Sequence, residues 1–142
     1  MNLNILYEDN HLLIAVKPQN IPAQADDSHD PDLLTMLKAY IKEAYQKPSA
    51  VYLGLVHRLD RPCGGVMAFA RTSKAAARLG AQLQSRRMSR SYFAVVHGTL
   101  PKEGVLQDWL CKDTRTNISR VVEPGTPGAK FARLHFWRIA QD

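Results

Sequence analysis

The amino-acid sequence predicts an α+β fold, in which a mixed, mainly antiparallel sheet is flanked by helices. Several short apolar segments have the length and composition of strands, and two longer stretches carry apolar residues at helical spacing. These segments do not follow the strict strand–helix–strand alternation of a parallel sheet. The chain has 142 residues, of which 45% are hydrophobic, so we expect one domain over residues 1–142 with a real core.

The N-terminal part predicts two strands and a helix. Residues 3–7 and 12–16 form strands around a polar turn, and residues 19–30 form a loop. Asp30-Pro31 predicts the start of a helix, because Asp can cap and Pro is tolerated at the first helical position. Lys47-Pro48 ends that helix, whose apolar positions are Leu33, Leu34, Leu37, Tyr40, Ile41 and Ala44.

The centre of the chain predicts a strand, a turn, a second strand and a second helix. The strands cover residues 52–56 and 66–70, and the turn lies at residues 62–65. Thr72 or Ser73 caps the helix. Gly80 weakens the helix or allows a close approach, and its buried face consists of Ala76, Leu79 and Leu83.

The C-terminal part predicts strands and a loop. Residues 92–96, 105–110 and 131–139 have the pattern of strands, the last with Ala132, Leu134 and Phe136 on one face. Residues 123–128 contain two Pro and two Gly, which is typical of a loop.

The positive charge of the chain is concentrated in its centre. The formal net charge is +6, and residues 61–102 hold eight Lys or Arg and no Asp or Glu. Such a stretch attracts phosphate backbones. A solvated helix face that binds nothing is the alternative on charge alone.

The sequence argues against export and membrane insertion. No basic segment precedes an apolar stretch at the N-terminus, and the apolar run at residues 12–16 is too short to cross a bilayer. The two cysteines form no CxxC pair, so we expect ordinary reduced thiols. A cytoplasmic protein with no membrane contact is the expectation.

Residues 57–65, His-Arg-Leu-Asp-Arg-Pro-Cys-Gly-Gly, form the densest cluster of chemically useful groups. Asp60 stands between Arg58 and Arg61 just after a predicted strand, where positive charge favours the carboxylate. A carboxylate there can act as a nucleophile or base. A surface Asp in ordinary ion pairs is the alternative.

The cluster resembles the signature of the RluA-type pseudouridine synthases, and further segments match in order. Residues 15–22 resemble the early Lys-Pro segment of that family, residues 66–72 the strand after the catalytic loop, residues 90–98 its Tyr-containing segment, and residues 130–132 the entry to its last motif. The resemblance implies a pseudouridine synthase-like catalytic domain, of which residues 1–142 would be the N-terminal and central part.

The resemblance also implies roles for single residues. Asp60 matches the essential aspartate, Tyr92 the tyrosine that packs against the target base, and Arg58 an RNA-contacting arginine, whereas His57 supports the loop. The other residues expected to hold RNA phosphates are Arg61, Arg78, Arg86, Arg87 and Arg90. The implied partner is ribosomal or transfer RNA, with no metal, cofactor or obligatory protein partner.

The chain departs from the family pattern in several places. Gly64-Gly65 replaces Ser-Gly, and Arg90 replaces Lys. The last motif, whose arginine pairs with the catalytic aspartate, would lie beyond Asp142, and we expect no N-terminal S4-type domain.

Three alternatives follow. The first is a non-catalytic RNA-binding fragment. The second is a hydrolase using His57 and Asp60, which has no Gly-x-Ser-x-Gly elbow to support it. The third is a truncated chain that does not fold properly, in which a sheet cut short exposes an unpaired edge at residues 131–139.

Overall fold

The computed structural model describes residues 3–141, which divide into two compact units. The first unit ends at Ser91 and the second begins at Tyr92. Two helices and antiparallel sheets confirm the predicted α+β class. Within the described residues, no helix combines the length and the apolar character needed to cross a bilayer.

The first unit contains a four-stranded antiparallel sheet in the order β1-β2-β4-β3. The sequence located all four strands to within a few residues, although the third is much shorter than expected. The strands are β1 (Asn4–Glu8), β2 (Leu12–Lys17), β3 (Gly54–Leu55) and β4 (Gly65–Ala70).

Two helices accompany this sheet, α1 (Leu33–Ala44) and α2 (Ser73–Gln84). Asp32 caps α1 by accepting a hydrogen bond from the Thr35 N–H at 2.9 Å. The predicted start at Asp30-Pro31 was therefore wrong by two residues, because Asp32 provides the same capping oxygen one residue beyond the proline. Thr72 caps α2, as predicted, through the N–H of Ala75.

The core lies where the inward face of the sheet meets α1. Strand β2 alternates, so that Leu13, Ala15 and Lys17 are buried, and the antiparallel register places them opposite Phe69, Met67 and Gly65 of β4. Helix α1 contributes the buried side chains of Leu33, Leu37 and Ile41. Lys17 is therefore a charged residue at a core position.

Helix α2 is less deeply buried than α1. Ala75 is its one buried residue, and the predicted face of Ala76, Leu79 and Leu83 is half-buried. A Cβ atom placed on Gly80 would have no neighbour within 4 Å, so no close approach explains this glycine.

The second unit contains a three-stranded antiparallel sheet in the order β6-β5-β7. Its strands are β5 (Glu103–Asp113), β6 (Ile118–Val122) and β7 (Lys130–Trp137). The loop at residues 123–128 is confirmed. The strand predicted at residues 92–96 was wrong, since that segment has no strand pairing, and β6 was missed.

Candidate active site

The candidate site is the loop that follows β3 and leads into β4. Successive side chains of this loop alternate between solvent and the core. Arg58 and Asp60 are exposed, whereas Leu59 packs against the core. Gly65 makes room for this anchor, since a Cβ atom there would lie 3.2 Å from Leu59 Cδ1, and its φ of +149° disfavours other residues. Leu59 thus fixes the loop and leaves Asp60 facing solvent.

Backbone hydrogen bonds shape the segment that carries Asp60. The N–H of Cys63 donates to the carbonyl oxygen of Asp60 at 3.0 Å, which closes a turn. The next carbonyl, that of Arg61, accepts the Asn20 N–H at 2.8 Å and Lys17 Nζ at 3.1 Å. Asn20 adopts a φ of 63°, a conformation that Asn tolerates better than most residues. The segment is therefore tied directly to the loop after β2.

Lys17 is the residue that joins these two loops, and the sequence did not identify it. Its Nζ is fully buried and donates to the carbonyl oxygens of Ile21 at 2.6 Å, Pro18 at 3.0 Å and Arg61 at 3.1 Å. Burial lowers the pKa of Lys17, while the nearby Cys63 and Asp60 act in the opposite direction. All three ammonium protons have acceptors. The alternation of Leu13, Ala15 and Lys17 was the available signal, because it places Lys17 on the inward face.

His57 attaches the start of the loop to β4. Its Nε2 accepts the N–H of Ala68 at 3.0 Å, beyond the point where β3 pairs with β4 through Gly54 and Leu55. The imidazole must be unprotonated at Nε2 to accept this bond. Burial, followed by the positive charge of Arg90, lowers the pKa of His57. The imidazole therefore replaces a backbone acceptor where the strand ladder ends.

Arg61 is engaged within the first unit. Its Nε donates to the Asn20 carbonyl at 3.2 Å, one terminal nitrogen donates to Ser28 Oγ at 3.0 Å, and the other forms an ion pair with Asp30. These contacts hold the loop at residues 20–30 against the segment that carries Asp60. Its contribution to RNA binding remains a prediction.

Asp60 and Arg58 are presented to solvent without such contacts. The ion pairs among residues 3–141 are Arg61–Asp30 and Arg71–Glu8, so neither involves Asp60. The alternative of a surface Asp in ordinary ion pairs therefore finds no ion pair of Asp60 among these residues. A cavity of about 300 Å³ adjoins the loop, within the size range of ligand sites. Gln24, Leu55, Val56, His57 and Arg58 line it.

The basic residues of the central stretch fall into two groups. Arg61 and Arg71 form internal ion pairs, and Arg71 also lies 4.5 Å from the ring centroid of Tyr45. In the second group, Arg78 is exposed on α2, and Arg86 and Arg87 are exposed in the turn that ends this helix. Arg90 is exposed and close enough to His57 to influence its pKa. Tyr92 belongs to the second unit, where it is 64% exposed, and its catalytic role remains a prediction.

Comparison with known proteins identifies the family. A family model described as RNA pseudouridylate synthase matches residues 11–142. The chain belongs to the RNA pseudouridylate synthase family. Ribosomal large subunit pseudouridine synthase D of Nitrosomonas europaea is 35% identical over 136 residues, which cover 94% of this chain and 38% of that protein. The protein of the same name from Pseudomonas aeruginosa is 37% identical over 107 residues, covering 75% of this chain and 32% of that protein.

Solved structures support the same fold. Human RNA Pseudouridylate Synthase Domain Containing 4 superposes with a TM-score of 0.67 at 20% identity, covering 92% of this chain and 51% of that chain. Human RNA Pseudouridylate Synthase Domain Containing 1 gives a TM-score of 0.65 at 18% identity, with coverage of 94% and 51%. The chain thus spans less than half of these two curated relatives and about half of the solved structures.

Proposed function

We propose that the chain isomerises uridine to pseudouridine in RNA, with Asp60 as the catalytic carboxylate. The observation that carries this proposal is the family match over residues 11–142, which includes an exposed Asp60 on a braced loop. The contacts of this loop involve the backbone carbonyls of Asp60 and Arg61, so the backbone that carries the carboxylate is held by the fold. Preorganisation of this kind reduces the cost of orienting a catalytic group.

The proposed reaction breaks the C1′–N1 bond of uridine and forms a bond between C1′ and C5. C5 then loses its proton to solvent and N1 takes one up from solvent, so the product is an isomer of the substrate. The uridine must leave its helical stack to reach Asp60, and unpaired regions of RNA make this step less costly. Tyr92 would pack against the uracil, and the open cavity beside His57 and Arg58 offers space next to the loop.

The exposed basic residues supply the proposed attraction to the RNA backbone. Arg58 would contact RNA near the flipped nucleotide, whereas Arg78, Arg86, Arg87 and Arg90 would contact phosphates. Arg61 would contribute mainly by holding the loop, because its guanidinium already has three acceptors within the chain. Ribosomal RNA is the favoured substrate, since several relatives are named for the large ribosomal subunit. Transfer RNA is the alternative substrate, and a cytoplasmic location completes the proposal.

The test is tritium release from RNA labelled at uridine C5, using ribosomal and transfer RNA in parallel. We expect release by the parent chain and none by Asp60→Asn, which keeps the side-chain shape and removes the charge. Asp27→Asn is the matched control, because Asp27 is also exposed in a loop of the same unit. Equal release by the parent and Asp60→Asn would exclude Asp60 as the catalytic carboxylate.

A non-catalytic RNA-binding role is the second candidate. It is favoured by the lack of a cationic partner for Asp60 among residues 3–141. In this case filter binding would show RNA affinity for the parent and for Asp60→Asn, while neither would release tritium.

A further inference from the structure

One face of the sheet in the second unit carries a group of aromatic rings. The register places Trp109 of β5 opposite Phe131 of β7, and their ring centroids lie 5.6 Å apart. Further along β7, His135 and Trp137 occupy the same face, with ring centroids 5.8 Å apart. We call this surface, made of Trp109, Phe131, His135 and Trp137, the aromatic face.

The aromatic face is accessible and flanked by arginines. Phe131 is 48% exposed and Trp137 is 59% exposed. Arg133 lies between Phe131 and His135 on β7, and Arg120 lies on the same face of β6, opposite Cys111 of β5. Both arginines are exposed, and neither belongs to an ion pair in the described part of the chain.

The opposite face of the same sheet has different chemistry. Leu106 and Leu134 are cross-strand partners there, and the ring of Phe136 covers Gly104 so closely that a Cβ atom on this glycine would lie 2.7 Å away. Phe136 is the one aromatic ring on this face, which otherwise mixes aliphatic side chains with the charged Asp108, Lys112 and Lys130. The aromatic face has carboxylates only at its two ends, at Glu103 and Asp113.

We propose that the aromatic face binds single-stranded RNA, with bases stacked on the rings and phosphates held by Arg120 and Arg133. Exposed aromatic rings on a sheet are a common platform for unpaired bases, because every base presents a flat π surface. Arginines beside such a platform supply charge that complements the RNA backbone. The inference rests on the proposed function, because it assumes that the chain acts on RNA.

The spacing of these residues fits a strand that crosses the sheet diagonally. Neighbouring strands lie about 4.8 Å apart and each residue advances about 3.4 Å, so the Cα atoms of Arg120 and Arg133 are separated by roughly 17 Å. The Trp109–Phe131 pair lies between them. The two arginines can therefore reach phosphates on either side of bases stacked on this pair.

The chain contains its own probe for this interaction. Both of its tryptophans, Trp109 and Trp137, lie on the aromatic face. Titration with a short oligouridylate should quench their fluorescence, and a blunt RNA duplex of equal length should quench it much less. Phe131→Ala should weaken oligouridylate binding about tenfold, the effect of losing one stacked base.

A second variant tests the phosphate contacts. Arg133→Gln should weaken binding and reduce the slope of log affinity against log salt by about 0.7, the value for one phosphate of a single strand. Leu134→Ala, on the opposite face, and Arg115→Gln, in the β5–β6 turn, are the matched controls and should leave binding unchanged. Circular dichroism should show that each variant remains folded.

Separate outcomes distinguish this proposal from the proposed function. Quenching that is lost in Phe131→Ala supports the aromatic face, even where the parent releases no tritium from RNA. Tritium release without quenching, or quenching unaffected by Phe131→Ala and Arg133→Gln, overturns the aromatic face and leaves the catalytic proposal intact. A dimer seen by sedimentation that dissociates in Phe131→Ala, without quenching by RNA, also overturns it and assigns the face to a second copy.

Discussion

Substitution of Lys17 by Met tests whether the buried ammonium holds the loop that carries Asp60. Methionine has a similar unbranched length and fills the same space, but it donates no hydrogen bond. The carbonyls of Pro18 and Ile21 would lose the one donor found for them among the described residues. The carbonyl of Arg61 would keep the Asn20 N–H at 2.8 Å.

The expected loss of stability follows from these contacts. An unsatisfied buried acceptor costs about 1–3 kcal/mol, but Pro18 is exposed and Ile21 is half-buried, so the two carbonyls together cost about 3 kcal/mol. Removing the buried charge offsets part of this loss of stability, because the ammonium group no longer has to be desolvated on folding. We therefore expect Lys17→Met to lower the free energy of unfolding of the first unit by about 2 kcal/mol.

Urea unfolding followed by circular dichroism measures the global effect, and amide hydrogen exchange measures the local one. The midpoint should fall with an unchanged m-value. The N–H groups of Asn20 and Cys63, which hold the Asp60 segment, should lose more protection than the N–H of Leu37 within α1. Lys47→Met, at an exposed lysine, is the control. A Lys17→Met variant with parental stability and parental protection at Asn20 would refute this account of the loop.

Three further substitutions test other parts of the first unit. The pKa of His57 is lowered in the folded state, so the unfolded chain binds more protons and stability should fall as the pH drops below about 6.5. His57→Gln keeps an acceptor and should weaken this pH dependence in urea titrations, whereas an unchanged profile would exclude His57 as its source. Arg71→Ala leaves the partly buried Glu8 carboxylate without its cation, although the Tyr40 hydroxyl still donates to it at 3.0 Å, so it should cost about 2 kcal/mol, and adding Glu8→Gln should recover part of that loss. A double-mutant cycle with additive losses would contradict that pairing. Arg86 has a φ of 56°, so Arg86→Gly should leave stability unchanged or raise it by up to about 1 kcal/mol while RNA affinity falls in filter binding. Equal RNA affinity in parent and Arg86→Gly would remove this arginine from the proposed RNA surface.

Most strands and both helices could be predicted because their signals are local. The alternation of β2 and β7 and the helical spacing of α1 are visible within a few residues of sequence. Strand β6 was missed because it depends on pairing with the far end of β5, which extends to Asp113 rather than Leu110. A signal was present, since Asp113 accepts hydrogen bonds from the N–H groups of Arg115 and Thr116 and turns the chain.

The segment at residues 92–96 shows the limit of strand propensity. Tyr, Phe and Val are common in strands, yet this segment pairs with no other segment among the described residues, and Phe93 is 93% exposed. Strand propensity reflects the packing of side chains on neighbouring strands, so a suitable composition does not make a strand where no neighbouring strand pairs with it. The sequence could therefore indicate the character of this segment but not its pairing.

The candidate site was predictable in its residues but not in its construction. The position of Asp60 followed from a motif, whereas the contacts that fix it come from residues far away in sequence, including Lys17 and Asn20. The same limit applies to charge. The basic stretch suggested one RNA surface, yet Arg61 and Arg71 are engaged in ion pairs with Asp30 and Glu8.

The arginines thus divide into those that form ion pairs within the chain and those that are exposed outside these ion pairs. Arg61, which holds the loop at residues 20–30, already uses three of its five N–H donors on acceptors within the chain, so fewer donors remain for a phosphate. An arginine such as Arg78, exposed and outside the ion pairs of the described residues, can contact a phosphate without disturbing the fold. Substitution of an arginine that holds a loop should therefore change stability and the amide hydrogen exchange of that loop more than it changes RNA affinity. Substitution of an arginine such as Arg78 should change only RNA affinity and its salt dependence.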